Sequence, residues 1–150
     1  MPSSPPAVVI DAGIGLYTVI DVPLSESTQT TWTRWQEGDV AVYAPAMWRS
    51  EVTSVLHKLF HLGQLTEAEA EAALETALSL DVQIVEADDE LCRQSFRWAT
   101  RLNTAAAYDA FYVALAERLG VPLWTGDRRL ANNAQQNGVS WVYWIGDANS

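Results

Sequence analysis

Four acidic residues, spread over the whole chain, have surroundings that a purely structural carboxylate does not need. They are Asp11, Glu51, Asp109 and Asp127. Two of them follow short apolar runs that have the pattern of buried strands, and the other two lie among apolar residues in helical patterns. Burying a carboxylate costs several kcal/mol unless it is paired, hydrogen-bonded or bound to a metal. The pattern therefore indicates a cation site.

The residue types indicate which cation and which chemistry such a site would use. Like charges about 4 Å apart repel by roughly 4 kcal/mol at an effective dielectric near 20, so clustered acids need a cation or raised pKa values. Oxygen ligands without His or Cys favour a hard ion, Mg²⁺ or Mn²⁺. Such an ion keeps several waters, and one of these could attack a phosphodiester bond. The prediction requires that the fold brings the four acids together.

Each acid also has a structural alternative. Asp11 could be a solvated turn residue, and Asp127 is well placed to cap the helix RRLANNAQQ, a role worth about 1 kcal/mol. Asp109 is predicted to lie well inside its helix, too late to cap it, on an apolar stripe. Glu51 has the same character. For these two, the alternative is an exposed acid or one that is bonded to a tyrosine.

The elements that must position these acids alternate between strands and helices. We predict strands at residues 7–10, 39–43, 82–85, 121–125 and 139–145. The intervening segments are predicted to be helical at 16–38 (with a break near 21–23), 46–61, 66–80, 88–102, 103–120 and 128–136. Gly13 and Gly15 permit a tight turn, Thr66 and Glu69 fit a capping box, and Asn103 or Thr104 could cap the fifth of these helices.

This alternation predicts an α/β sandwich with a mainly parallel sheet. Ligands of such sheets bind beyond the carboxyl ends of the strands, where the strand order reverses. Asp11 and Asp127 fall at or just past such ends, so they share a crevice if the first and fourth strands are neighbours. We expect one domain over residues 1–150, with loose tails at 1–6 and 146–150.

Composition excludes several classes of protein. With 49% hydrophobic residues, the chain should fold compactly, and its single cysteine, Cys92, excludes an internal disulfide and a cysteine-based zinc cluster. A reducing cytoplasm is therefore expected, with neither a signal peptide nor a membrane span. The net charge of −10 argues against broad attraction to nucleic acid or anionic lipid.

The few basic and aromatic residues leave alternatives open. Arg93, Arg97 and Arg101 share one helical face, which is either a local track for a polyanion or a solvated face with ion pairs. His57 and His61 have the spacing of a zinc pair, but HKLFH lacks the glutamate of a zincin, so ordinary helix positions are favoured. The seven tryptophans could stack on RNA bases, although core or dimer-interface packing is favoured.

The four acids lie in sequence blocks that resemble those of PIN-domain proteins, and specifically VapC-type toxins of bacterial toxin–antitoxin pairs. The blocks are VVIDAG with Asp11, APAMWRSEVTSVL with Glu51, AAYDAFYVALAERLG with Asp109, and PLWTGDRRL with Asp127. The resemblance covers residues 8–145, and the third and fourth blocks are specific in combination and spacing.

The resemblance implies a fold, an activity and partners. The fold would be a PIN-like three-layer sandwich with a five-stranded sheet of order 3-2-1-4-5. The activity would be that of a Mg²⁺- or Mn²⁺-dependent endoribonuclease acting on RNA in the cytoplasm. Family members usually form homodimers and are held inactive by a cognate antitoxin protein whose tail occupies the active-site groove.

The resemblance also implies residue roles. The acids that match Asp11 and Asp109 are the most direct metal ligands, and those that match Glu51 and Asp127 complete the site or orient water. Thr125 is expected to hydrogen-bond an acid, and Arg128 or Arg129 to contact phosphate.

One position departs from the family pattern. Gly13 stands where the family often has Ser or Asn, so a side-chain hydrogen bond that would orient Asp11 is expected to be lost. This departure and the acidity support an alternative, a catalytically degenerate PIN-fold binding module that acts through protein partners. A phosphoaspartyl phosphatase is disfavoured because the first strand ends in DAG and lacks a DxD motif.

Overall fold

The fold is built on one sheet of five parallel strands. The computed structural model describes residues 5–148, and its strands are β1 (Ala7–Ile10), β2 (Ala41–Pro45), β3 (Gln83–Val85), β4 (Leu123–Thr125) and β5 (Val142–Trp144). Their order is β3-β2-β1-β4-β5, and every neighbouring pair is parallel. The predicted order is thus confirmed, and β1 lies beside β4.

Seven α-helices connect and cover the strands. They are α1 (Ala12–Tyr17), α2 (Ser25–Glu37), α3 (Met47–His61), α4 (Glu67–Leu78), α5 (Asp89–Leu102), α6 (Tyr108–Leu119) and α7 (Arg128–Gln136), followed by a 3-10 helix at Ile145–Asp147. Among residues 5–148, no helix has the length and apolarity needed to cross a membrane.

The core lies between the central strands and α6. The last three residues of β1 are fully buried, as expected for a parallel strand that is covered on both faces. Helix α6 buries Ala110 and the run from Tyr112 to Ala116, and it packs against β1, β2 and β4. Its alanines allow close approach to the sheet, which brings the first turn of α6 to the carboxyl edge of β1.

The segment after β1 differs from the predicted tight turn. Asp11 is the N-cap of α1, and both Gly13 and Gly15 lie inside that helix. Gly15 is needed there for space, because a Cβ at this position would lie 2.5 Å from Cζ2 of Trp48. Gly15 therefore permits close packing of α1 against α3.

The predicted start of α6 at Asn103 or Thr104 is wrong. Asn103 instead ends α5 in the left-handed region, with φ of 56°, and the Thr104 hydroxyl donates to the Ala106 carbonyl at 2.9 Å. These local bonds compete with helix formation, so α6 begins only at Tyr108. Asp109 is consequently in the first turn of the helix rather than well inside it. Ala105 and Ala106 precede the helix, so they do not share a helical face with Asp109.

Other predicted ends of helices and strands lie closer to the observed ones. Thr66 and Glu69 form the predicted capping box, and Asp88 caps α5. The second strand is shifted by two residues, because α2 and its left-handed exit at Asp39 occupy the predicted strand start.

The predicted tails lie partly outside the described residues, at 1–4 and 149–150. Within the described part, Pro6 accepts a hydrogen bond from Ala41 N at 3.1 Å, and Ala148 packs against the core.

Candidate active site

All four acids lie in one region, near the carboxyl ends of the central strands. Asp11 directly follows β1, and Asp127 follows β4 by two residues. Glu51 is in α3, which follows β2, and Asp109 is in the first turn of α6. The adjacency of β1 and β4 thus places Asp11 and Asp127 at one edge of the sheet.

Asp11 is the most buried of the four. Its Oδ1 accepts a hydrogen bond from Ile14 N at 3.1 Å, and Gly126 N lies 3.2 Å from both carboxylate oxygens. The Thr125 hydroxyl donates to Oδ2. Burial, with a smaller contribution from the charge of Asp109, raises the pKa of Asp11 to about 6 despite these hydrogen bonds. The folded protein therefore favours the neutral form of Asp11 more than water does.

The orientation of Asp11 does not depend on residue 13. Three donors fix its carboxylate, and Trp48 Nε1 donates to its carbonyl oxygen at 3.0 Å. Gly13 offers no side-chain donor to Asp11, and these other donors orient the carboxylate without one. A Cβ at position 13 would lie 3.3 Å from Asp11 Oδ1 and from Gly126 Cα, so even a small side chain there would be tightly packed.

Glu51 is half-buried and is held by a tyrosine. The Tyr112 hydroxyl donates to Glu51 Oε1 at 3.0 Å, which is the tyrosine-bonded alternative weighed for this acid. Burial raises the pKa of Glu51, the Tyr112 hydrogen bond lowers it, and the charges of Asp109 and Asp11 raise it. Burial and the neighbouring acids raise the pKa of Tyr112, so its hydroxyl remains a donor.

Asp109 and Asp127 form the exposed side of the region. Solvent reaches Asp109, yet the surrounding protein removes part of its hydration and raises its pKa, and the charge of Asp127 raises it further. Asp127 Oδ1 accepts from Arg129 N at 2.9 Å and from Leu130 N at 3.4 Å, so Asp127 caps α7 as its structural alternative predicted. Among residues 5–148, no donor bonds its other oxygen.

The donor set fits a hard divalent cation. The four carboxylates influence one another, since Asp109 acts on Asp11 and Glu51, and Asp127 acts on Asp109. Within residues 5–148, no three His, Cys, Asp or Glu side chains are arranged as a ready-made metal cage. Mg²⁺ does not need such a cage, because it is usually bound by one or two carboxylates and keeps several waters.

Sequence reasoning did not identify several residues that shape this region. Tyr112 and Trp48 hold Glu51 and Asp11 by the hydrogen bonds described above. Tyr17 packs against Gly126, where a Cβ would lie 2.6 Å from its ring. Burial raises the pKa of Tyr17, as do the charges of Asp11 and Asp127. The glycine between Thr125 and Asp127 was the one local signal of such a close approach.

The arginine side chains divide into two groups. Arg93 and Arg97 pair with Glu90 at 3.3 and 3.1 Å, and Arg101 stacks on Trp98 at 4.7 Å from the ring centre. This face of α5 therefore fits the ion-paired alternative rather than an open track. Arg128 and Arg129 lie at the start of α7 beside Asp127, and among residues 5–148 neither forms an ion pair, although Arg128 stacks on Trp144 at 4.7 Å from the ring centre.

The remaining candidates do not add a second site. His57 and His61 are exposed and stack on each other, with ring centres 6.4 Å apart. Four tryptophans are buried and three are half-buried, as expected for packing residues: Trp32, Trp35, Trp48 and Trp98, then Trp124, Trp141 and Trp144. A cavity of about 530 Å³ lies between residues 19–22, α3 and α4, and the four acids do not line it.

Comparisons with known proteins agree with this geometry. The family profile of the PIN domain matches residues 8–136. Ribonuclease VapC3 of Mycobacterium tuberculosis is 35% identical over 131 residues, which cover 87% of this chain and 90% of that protein.

Two solved structures share the fold. The crystal structure of PAE2754 from Pyrobaculum aerophilum has a TM-score of 0.66 at 24% identity, covering 93% of this chain and 84% of that one. VapBC2 from Rickettsia felis, bound to a DNA fragment from its promoter, also has a TM-score of 0.66, at 10% identity, with coverage of 92% and 98%. At these identities the likeness concerns the fold alone.

Proposed function

The chain belongs to the PIN-domain family and is related to the VapC ribonucleases, and from this premise we propose that it is a Mg²⁺- or Mn²⁺-dependent endoribonuclease. We further propose that it is the toxin component of a type II toxin–antitoxin system. The observation that carries the proposal is the convergence of Asp11, Glu51, Asp109 and Asp127 at the carboxyl edge of β1 and β4. Asp11 and Asp127 each cap a helix and Glu51 bonds Tyr112, but none of these structural roles requires four acids in one region.

In this proposal Asp11 and Asp109 bind the metal ion directly, while Glu51 and Asp127 complete the site. The oxygen-only donor set suits Mg²⁺ or Mn²⁺. When bound, the ion supplies positive charge to the scissile phosphate and acidifies water for attack. It also favours the charged form of Asp11, which burial otherwise disfavours.

The chain's own residues orient the reacting groups, and one of them can accept a proton. Thr125 and two backbone amides fix the plane of the Asp11 carboxylate. Tyr112 fixes Glu51, whose raised pKa suits it to take a proton from an attacking water. Arg128 or Arg129, beside Asp127 at the start of α7, would contact an RNA phosphate and supply local positive charge in a protein of net charge −10.

The partners follow from the family. We propose a cognate antitoxin protein that covers the acidic site, a homodimer as the functional form, and a cytoplasmic location. Light scattering on the purified protein, with and without the product of a small neighbouring gene, tests the first two. If the purified protein is a monomer and does not bind that product, the homodimer and the antitoxin partner are both contradicted.

The central test is RNA cleavage by the wild type and by Asp109→Asn. With Mg²⁺ or Mn²⁺, the wild type should cleave a structured RNA, and EDTA should abolish cleavage. Asp109→Asn should be slower by about a hundredfold or more, because a metal ligand and its charge are removed. Asp89→Asn, which neutralises a first-turn acid of α5 outside the site, is the matched control and should cleave normally.

Two outcomes would contradict the proposal. Equal cleavage by the wild type and Asp109→Asn would remove Asp109 from the mechanism. If the wild type neither cleaves RNA nor binds Mg²⁺ or Mn²⁺ below the millimolar range in calorimetry, the degenerate binding module is the better description.

A further inference from the structure

The supply of positive charge near the four acids is small. The chain has 9 Lys and Arg against 19 Asp and Glu. Three of the arginines are committed to ion pairs on α5 and α6, since Arg93 and Arg97 bond Glu90, and Arg118 bonds Asp88 at 2.8 Å. Arg128 and Arg129, at the start of α7, lie beside Asp127 and are within the region that an RNA phosphate near the acids would occupy.

Arg128 differs from its neighbour Arg129 in one contact. Its guanidinium carbon lies 4.7 Å from the centre of the Trp144 ring, while the side chain remains exposed. Stacking on an aromatic face restricts a guanidinium without using its N–H donors, which radiate in the plane of the group. Arg128 is therefore held in place with its donors available for a phosphate.

Trp144 itself is placed at the edge of the site. It is the last residue of β5 and pairs in register with Thr125, which donates to Asp11. The ring packs against Gly146, where a Cβ would overlap it. Its Nε1 is buried and has no hydrogen-bond partner among residues 5–148, so no polar contact of its own explains the placement. The indole ring of Trp144 therefore provides a fixed aromatic face on which the guanidinium of Arg128 stacks.

We propose that Trp144 is a positioning residue that holds Arg128 to receive an RNA phosphate beside the four acids. The inference rests on the proposed ribonuclease function and deepens it, because it assigns substrate binding to Arg128 rather than Arg129 and extends the site to β5. Trp144 acts through Arg128 and does not itself contact the RNA.

A double-mutant cycle on RNA binding tests this assignment. All variants carry Asp109→Asn, so that a fluorescent single-stranded RNA of mixed sequence is bound without being cleaved, and affinity is measured by anisotropy. Arg128→Ala should weaken binding about tenfold and reduce the salt slope by about 0.7, as expected for one lost phosphate contact. Trp144→Leu should weaken binding about threefold, and should have no further effect once Arg128 is Ala.

Matched controls separate this role from general charge and packing effects. Arg129→Ala removes the same charge without an aromatic contact and should weaken binding less than about twofold. Tyr143→Leu alters an exposed aromatic residue on the same strand and should leave binding unchanged. Trp144→Phe, a milder change that retains an aromatic face, should bind more tightly than Trp144→Leu, and circular dichroism checks that each variant is folded.

The possible failures are distinguishable. If RNA binds but the effects of Arg128→Ala and Trp144→Leu simply add, or if Arg129→Ala costs as much as Arg128→Ala, the assignment is wrong while the ribonuclease proposal stands. If neither the Asp109→Asn protein nor the wild type binds RNA, both proposals are overturned.

Discussion

At the scale of single residues, Asp11 shows most clearly a conflict between folding and chemistry. An N-cap needs only one hydrogen-bond acceptor, and Ser or Asn would supply it without a buried charge. Asp11 caps α1 and in addition keeps a second oxygen in contact with Thr125 and Gly126. The extra oxygen and its charge have no structural use that a neutral residue could not serve, which supports a role in binding a cation.

This conflict predicts a pH-dependent stability. Burial raises the pKa of Asp11 from 3.8 to about 6, so the folded state favours the neutral acid. Its stabilising contribution is fully present below pH 3.8 and is lost as the pH rises through 6; the complete loss amounts to about 3 kcal/mol. In EDTA, Asp11→Asn should therefore gain stability relative to the wild type between pH 4 and pH 8, by up to about 3 kcal/mol.

Urea denaturation at a series of pH values measures this difference, since the other titrating groups are common to both proteins. If the free energy of unfolding depends on pH in the same way in the wild type and in Asp11→Asn, burial does not raise the pKa of Asp11 as argued.

A second prediction concerns the hydrogen bond between Tyr112 and Glu51. The hydroxyl stabilises the charged carboxylate and so lowers the pKa of Glu51. Tyr112→Phe should raise that pKa, and the acidic limb of the pH–rate profile for RNA cleavage should move to higher pH. The free energy of unfolding of the Tyr112→Phe variant should be lower by about 1 kcal/mol, which is typical of one lost hydrogen bond. An unchanged profile would remove Tyr112 from the control of Glu51.

At the scale of elements, Asp127 serves a helix and the proposed site together, and substitution can separate these roles. Asp127→Ser keeps an oxygen that can cap α7 but removes the charge, whereas Asp127→Ala removes both. Both variants should lose RNA cleavage. Only the alanine variant should also lose about 1 kcal/mol of unfolding free energy. Full activity in the serine variant would mean that Asp127 is only a cap.

The elements also show which parts of the structure local sequence can predict. The capping box at Thr66 follows from a short-range pattern and the strand order from the family blocks, and the structure confirms both. The start of α6 could not be predicted in the same way. Two residues that commonly cap helices were present, but Asn103 serves the preceding helix and Thr104 bonds its own turn.

The same distinction applies to the candidate site. The positions of Asp11 and Asp127 at strand ends could be predicted, because parallel strands end at a common edge. The contacts that hold the acids could not, since they join Tyr112 to Glu51 across 61 positions and Trp48 to Asp11 across 37. Nothing in a short window of sequence encodes such pairs.

At the scale of the whole molecule, the excess of acidic charge should couple metal binding to stability. An ion that binds the folded state relieves repulsion among the four acids and stabilises the fold by mass action. At a concentration one hundred times Kd, Mg²⁺ or Mn²⁺ should add about 2.7 kcal/mol to the unfolding free energy of the wild type.

A thermal-shift titration measures this effect. Asp109→Asn should show a much smaller increase in Tm, while the Asp89→Asn control should behave like the wild type. Equal shifts in all three proteins would indicate that the ions act elsewhere on the acidic surface.

The hydrogen bond between Thr125 and Asp11 joins residues 114 positions apart. A ribosome makes the first acid early and its partner strand late. Until β4 has been synthesised, the growing chain already carries Asp11, Glu51 and Asp109 but lacks Asp127 and the donors that orient Asp11. On the proposed function, a partly translated chain would therefore lack a complete site, and RNA cleavage would begin only when the last part of the chain has been made.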